Sequence, residues 1–147
     1  MGMFTSFDIN ASGLTAQRYR MDIISENVAN ANTTRTGDGT PYVRKVVTFQ
    51  EKGKQTPFSR VLNKSMDKYS GEGVKVGGVY KDTVTEMNMV YDPSHLDADE
   101  NGYVLYPNVN IITEMTNLID ASRAYEANAT AFNASKSMAM KGLSIGQ

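Results

Sequence analysis

Apolar side chains recur every seven residues near both ends of the chain. Phe7, Leu14, Met21 and Val28 form one such line, with Ala11, Ile24 and Ala31 three or four positions away. Ile111, Leu118, Tyr125, Phe132 and Ala139 form the other, flanked by Met115, Ser122, Ala129 and Leu143. A heptad seam sustained over several repeats predicts a long helix docking on another helix. The spacing therefore predicts helices over 1–35 and 108–147 that pair as a coiled coil. At about 1.5 Å per residue each would be too long for a compact globule of this chain length, so an elongated shape is expected.

Between the seams the period shortens to two. The run Tyr42 to Phe49 is β-branched and aromatic, and Val74-Lys75-Val76 and Val79-Tyr80 flank Gly77-Gly78, read as a bulge or turn. A weaker alternation follows from Val84 to Tyr91. The stretch 51–72 is rich in Lys, Ser and Gly and predicts a mobile loop, with one possible helical turn at Phe58 to Leu62. The expected organisation is thus α+β, with a small β-rich insert over 36–107 between the terminal helices.

Residue usage sharpens those boundaries. All four prolines, Pro41, Pro57, Pro93 and Pro107, lie in the centre, as do eight of the twelve glycines, between positions 37 and 102. Eleven of the twelve alanines lie in the two terminal segments. Proline ends helices and alanine favours them.

Charge then divides the centre. Positions 41–80 hold eight Lys/Arg against three Asp/Glu, and 81–107 hold one against six, a balance of +5 followed by -5 that leaves open pairing within one chain or between copies. The net charge of the whole chain is -1, which gives no electrostatic case for a nucleic-acid partner. No basic segment followed by an apolar stretch opens the sequence and no apolar run is long enough to cross a bilayer, so a chain without a cleaved signal peptide is expected.

Candidate chemistry is sparse. With no Cys and one His the chain lacks the residues for thiolate catalysis, a disulfide framework or a zinc site needing two His/Cys ligands. Asp97, Asp99, Asn101 and Gly102 match the opening of a calcium-binding loop, but Asn108 stands where the bidentate Glu belongs and Pro107 precedes it. His95 lies between Asp92 and Asp97 without a nucleophile at useful spacing, so a surface turn held by Asx hydrogen bonds is expected instead. No catalytic residue, cofactor, metal or small-molecule substrate is predicted, and the chain is not expected to be an enzyme.

Two further features favour assembly. Ile112, Ile119, Met138 and Met140 fall outside the seam positions, so a two-helix pair leaves apolar surface uncovered. Asn27, Asn30 and Asn32 in one helix and Asn117, Asn128 and Asn133 in the other suit specific interhelical hydrogen bonds better than isolated helices. The residues expected at an assembly interface are Phe7, Leu14, Met21, Val28, Ile111, Met115, Leu118, Tyr125 and Phe132.

The segment from Ala11 to Thr33, containing Ser25-Glu26-Asn27-Val28-Ala29-Asn30-Ala31-Asn32-Thr33, resembles the N-terminal signature of the bacterial flagellar rod and hook proteins. Ser122 to Asn128 and Lys136 to Met140 are similar to the C-terminal helix of that family, and Tyr91 to Val104 with Tyr106 to Asn110 narrow the likeness to its proximal-rod branch. Leu96 departs from the family pattern, which usually has proline there. The resemblance implies a structural subunit of the flagellar basal-body rod. It would be exported unprocessed by the flagellar type III apparatus and would polymerise with its own copies and other rod subunits in the periplasm and cell wall. Its terminal helices would form the inner coiled-coil layer and its β-rich centre would face outward. The competing expectation is a non-flagellar coiled-coil adaptor or secreted interaction module.

Overall fold

A computed structural model describes residues 3–52 and 72–145. Helix α1 spans Met3–Ala29 and helix α2 spans Ile111–Ile145; between them lie strands β1 (Lys45–Glu51), β2 (Val74–Lys81), β3 (Asn88–Tyr91) and β4 (Tyr103–Tyr106). Strands β1 and β2 form one two-stranded sheet and β3 and β4 another. The architecture is α+β, two long helices bracketing two small sheets. The loop expected over 51–72 and the helical turn at 58–62 lie almost wholly outside the described residues.

Helix α1 stops and helix α2 starts where the sequence supplies a local substitute for helical hydrogen bonds. At the end of α1, Asn30 Nδ2 donates to the Glu26 carbonyl at 2.9 Å and Thr33 Oγ1 donates to Asn30 Oδ1 at 3.2 Å. Asn110 caps the start of α2, its Oδ1 accepting from Ile112 N at 3.0 Å and Thr113 N at 3.2 Å.

The chain packs as two compact units, each drawing on both helices and on the β segment. The first contains Met1–Tyr19, Phe49–Gly77 and Ser122–Gln147. Here the Phe7 and Phe132 rings meet edge to face with centroids 5.1 Å apart, and the Asn128 carboxamide lies against Gly13, so the helices run antiparallel. Ser12 Oγ donates to the Ile9 carbonyl and accepts from Val74 N at 3.0 Å, which anchors the start of β2 on α1. Asn128 Nδ2 bonds to Ala124 O, a contact within its own helix rather than across the pair.

The second unit contains Arg20–Thr48 and Gly78–Ala121. Its apolar core is small. Ala31, Tyr42 and Val109 cluster, and Ile24, Val104 and Ala121 are also buried. The β3–β4 hairpin is antiparallel, with Val90 opposite Val104 and Met89 opposite Leu105. Only Val104 of these points into the interior.

One expectation about the strands is corrected. Strand β2 runs unbroken through Gly77-Gly78. The glycines there make room for neighbours rather than a turn: a Cβ at Gly77 would lie 2.7 Å from the Gln50 side chain, and one at Gly78 3.1 Å from the Tyr80 ring. The Asp-rich stretch is a turn, as expected, and its place in the fold is now defined. It is the connection of a hairpin, and β4, for which the sequence pattern gives no expectation, stands between it and α2.

Candidate functional site

The Asp-rich connection is built from side chain to backbone hydrogen bonds. Asp92 Oδ1 accepts from Ser94 N at 3.1 Å and Ser94 Oγ at 2.6 Å, and Asp99 Oδ1 accepts from Asn101 N and Tyr103 N, both at 2.9 Å. The Ser94 hydroxyl and then its N–H hold the Asp92 carboxyl below its ordinary pKa. Asp97 faces elsewhere, accepting from Thr34 Oγ1 at 2.8 Å and pairing with Arg35 at 3.6 Å. His95 Nδ1 accepts the Asp97 backbone N–H at 3.1 Å. Among the described residues no group of three or more His, Cys, Asp or Glu side chains is arranged to hold a metal ion.

The most constrained polar site lies in the second unit. Asn27, 1% exposed, has every hydrogen-bonding position of its carboxamide filled. Its Nδ2 donates to the Lys45 carbonyl at 2.8 Å and to Glu114 Oε2 at 3.0 Å; its Oδ1 accepts from Tyr42 Oη at 2.8 Å and Lys45 N at 2.9 Å. Glu114 is equally buried, and its Oε1 accepts from Arg44 Nε at 2.9 Å and Nη2 at 2.7 Å. Arg44 reaches Asp82 Oδ2 with Nη1 at 3.3 Å. Asn108 closes the ring, accepting from Arg44 N at 2.9 Å and donating to the carbonyls of Asp82 and Thr85. One connected network thus ties α1, β1, the end of β2 and the start of α2.

Its electrostatics follow from burial and pairing. Burial opposes the Arg44 charge, but the hydrogen bond and charge of Glu114, with Asp82 behind them, outweigh it and raise the guanidinium pKa. The Thr85 N–H and hydroxyl hold the Asp82 carboxyl below its ordinary value. Burial first, and then the charges of Glu26 and Glu114, push the Tyr42 phenol up to about 12. Lys45 pairs with Glu26 at the edge of the site.

Burial along α2 defines which face looks outward. In the second unit Glu114 and Ala121 are buried and Leu118 is half-buried, whereas Ile112 is 77% exposed, Met115 54% and Ile119 55%. Met138, Met140 and Leu143 of the first unit are exposed as well.

The expected interface residues therefore separate. Phe7 and Phe132 meet each other; Leu14, Met21, Val28 and Leu118 are half-buried; Ile111, Met115 and Tyr125 are exposed. On α1 the buried line is Ala16, Ile24 and Asn27, with Ala31 buried just beyond the helix end, and Ala11 lies on the exposed side. Of the asparagines singled out, Asn27 makes the interhelical bond, while Asn30 and Asn128 bond locally. Glu114, Arg44, Tyr42 and Asn108 escaped sequence reasoning. The one available signal was an acidic residue on the flank of an apolar heptad line, which reads equally well as a first-turn carboxylate favouring the helix dipole.

Residues 7–35 match the family described as flagella basal body rod protein, and residues 100–145 match the C-terminal domain family of the flagellar basal body rod proteins FlgEFG. The chain is 47% identical to the flagellar basal-body rod protein FlgC of Bacillus subtilis, with all of both chains covered. It is 44% identical to the FlgC of Borreliella burgdorferi, covering 99% of this chain and 98% of that one, and 39% identical to the FlgC of Salmonella typhimurium over the whole of both. With likeness of this extent along its full length, the chain belongs to the FlgC family of flagellar basal-body rod proteins.

Proposed function

We propose that the chain is a structural subunit of the proximal rod of the flagellar basal body, that it polymerises with its own copies and with other rod subunits through its terminal helices, and that it performs no chemistry. The observation that carries this reading is the uncovered apolar surface of α2, a stripe of Ile112, Met115 and Ile119 in one unit and the separately exposed Met138, Met140 and Leu143 in the other. Covering each such side chain is worth roughly 1.5 to 3 kcal/mol, which is the driving force an assembling helix needs. Asp92 and Asp99 of the Asp-rich turn, by contrast, accept from backbone and hydroxyl groups, and Asp97 is held by Thr34 and Arg35.

On this reading the chain leaves the cytoplasm through the flagellar type III apparatus without losing a leader, and resides in the rod within the periplasm and cell wall. Purified hook and basal-body particles provide the test. Mass spectrometry is expected to find the chain in them with its N-terminal segment intact, and a strain lacking the gene is expected to build no rod. Intact rods in that strain would refute the reading and favour an adaptor outside the flagellum.

A further inference from the structure

In the second unit, the face of α2 turned inward is the less apolar of two available choices. The heptad line through Ile111 and Leu118 can be flanked by Met115 or, on its other side, by Glu114 and Ala121. Transfer energetics favour burying the side with the thioether and disfavour burying a carboxylate. The fold does the opposite: Glu114 is 1% exposed and Met115 faces solvent. A carboxylate takes an interior position only when specific partners hold it there. Here they are Asn27 Nδ2 and the Arg44 guanidinium, both fixed by further hydrogen bonds to the backbone of Lys45 and to Asp82.

We propose that Glu114, held by Asn27 and Arg44, is the positioning residue that sets the rotation of α2 about its own axis, against the helix's hydrophobic period, so that Ile112, Met115 and Ile119 are kept outward. Buried polar contacts are known to specify register where apolar packing alone would permit alternatives. If α2 turned the side bearing Met115 inward, the stripe would be covered within the chain and less of it would remain for a neighbour. The value of this arrangement to the protein rests on the assembly reading above; the rotation itself does not.

The chain contains no cysteine, so a single introduced thiol reports its own surroundings. Met115→Cys and Ala121→Cys are made separately in the parent, in Glu114→Gln, and in the combined variant Asn27→Leu, Arg44→Met, Glu114→Leu. Alkylation rates are then measured on the purified full chain. In the parent the thiol at 115 reacts fast and the one at 121 slowly. In the combined variant the proposal expects a reciprocal change, with position 115 slowed and position 121 accelerated by about tenfold each as the population shifts.

Glu114→Gln keeps the side chain's size and an oxygen for Asn27 but loses the charge facing Arg44. It is expected to move both rates in the same two directions by a smaller factor, and it decides the matter alone if the combined variant loses its fold. Unchanged rates in folded Glu114→Gln, or both thiols accelerating together, would overturn the proposal and leave the network a stabiliser only. Motility of the same variants is scored separately. Reciprocal labelling with normal swimming would uphold the positioning role and count against the assembly reading of the stripe.

Discussion

Asn27 on α1 and Glu114 on α2, 87 positions apart in the chain, meet through a buried hydrogen bond of 3.0 Å. Neither side chain has water to fall back on, so each depends on the other and on the Arg44 and Tyr42 partners that complete the network. An interhelical contact of this kind fixes depth, register and rotation together, whereas apolar contact fixes them loosely.

Truncating Glu114 leaves the buried Asn27 amide and the half-buried Arg44 guanidinium without their shared acceptor. Glu114→Ala is expected to destabilise the folded chain by about 1 to 3 kcal/mol, the usual cost of leaving a buried donor without its acceptor, because Arg44 keeps Asp82 and some exposure to water. The Arg44→Met, Glu114→Leu double variant is expected to lose much less than the two single losses added together. Urea unfolding followed by circular dichroism measures both, and additive losses would contradict a coupled pair.

The raised pKa of Tyr42 makes stability sensitive to base. The phenol's ordinary value is 10.0 and its folded value about 12, so the folded chain keeps a proton that the unfolded chain releases between them. Stability from this group is complete below pH 10 and is lost as pH rises towards 12. Tyr42→Phe is expected to flatten the fall in melting temperature over that interval relative to the parent. An equal slope in both proteins would show that the phenol is not held as described.

Asp82 and Asp92 act on the acid side, with the opposite sign. Their folded pKa values lie below the ordinary 3.8, so the stability they contribute is present above that value and is lost as pH falls through the folded values. Thr85→Val removes the hydroxyl donor to Asp82 and is expected to move the onset of acid unfolding to higher pH. An unmoved acid midpoint would contradict the assignment.

Gly73 has φ of +101°, and a Cβ there would lie 2.2 Å from Ser12 Oγ and 3.3 Å from the Ile9 Cα. Gly73→Ala therefore meets both backbone strain and a clash against α1, and is expected to cost about 1 to 3 kcal/mol in thermal or urea unfolding. Ser12→Gly in the same chain relieves the clash but not the strain, so it is expected to recover only part of the loss.

The terminal helices were legible in the sequence because proline is absent from them and their apolar residues repeat every seven positions. Of the C-terminal heptad line, Leu118 and Phe132 are half-buried and Ala139 is buried, whereas Ile111 and Tyr125 are exposed. The flank on which that line is buried was not legible. Periodicity favours Met115, and the choice of Glu114 is made by Asn27 and Arg44, whose positions relative to α2 exist only in the folded chain. Strand β4 was missed because its four residues sit between an Asp-rich turn and Pro107, leaving too few positions to show an alternation. Gly77-Gly78 read as a break because glycine usually marks one, yet here it clears space for Gln50 and Tyr80 within a continuous strand.

The central claim is that the outward stripe of α2 is an assembly surface, and its most direct test separates assembly from folding. Ile112 and Ile119 are well exposed and have no part in the buried network, so Ile112→Asp and Ile119→Asp together are expected to leave the melting temperature of the isolated chain nearly unchanged. In a strain whose only copy carries both changes, electron microscopy of basal bodies is expected to show no completed rod, and the cells are expected not to swim. A Lys52→Asp strain, altered at an exposed position just beyond β1, is expected to build rods and swim. Complete rods and normal swimming in the doubly substituted strain would contradict the account.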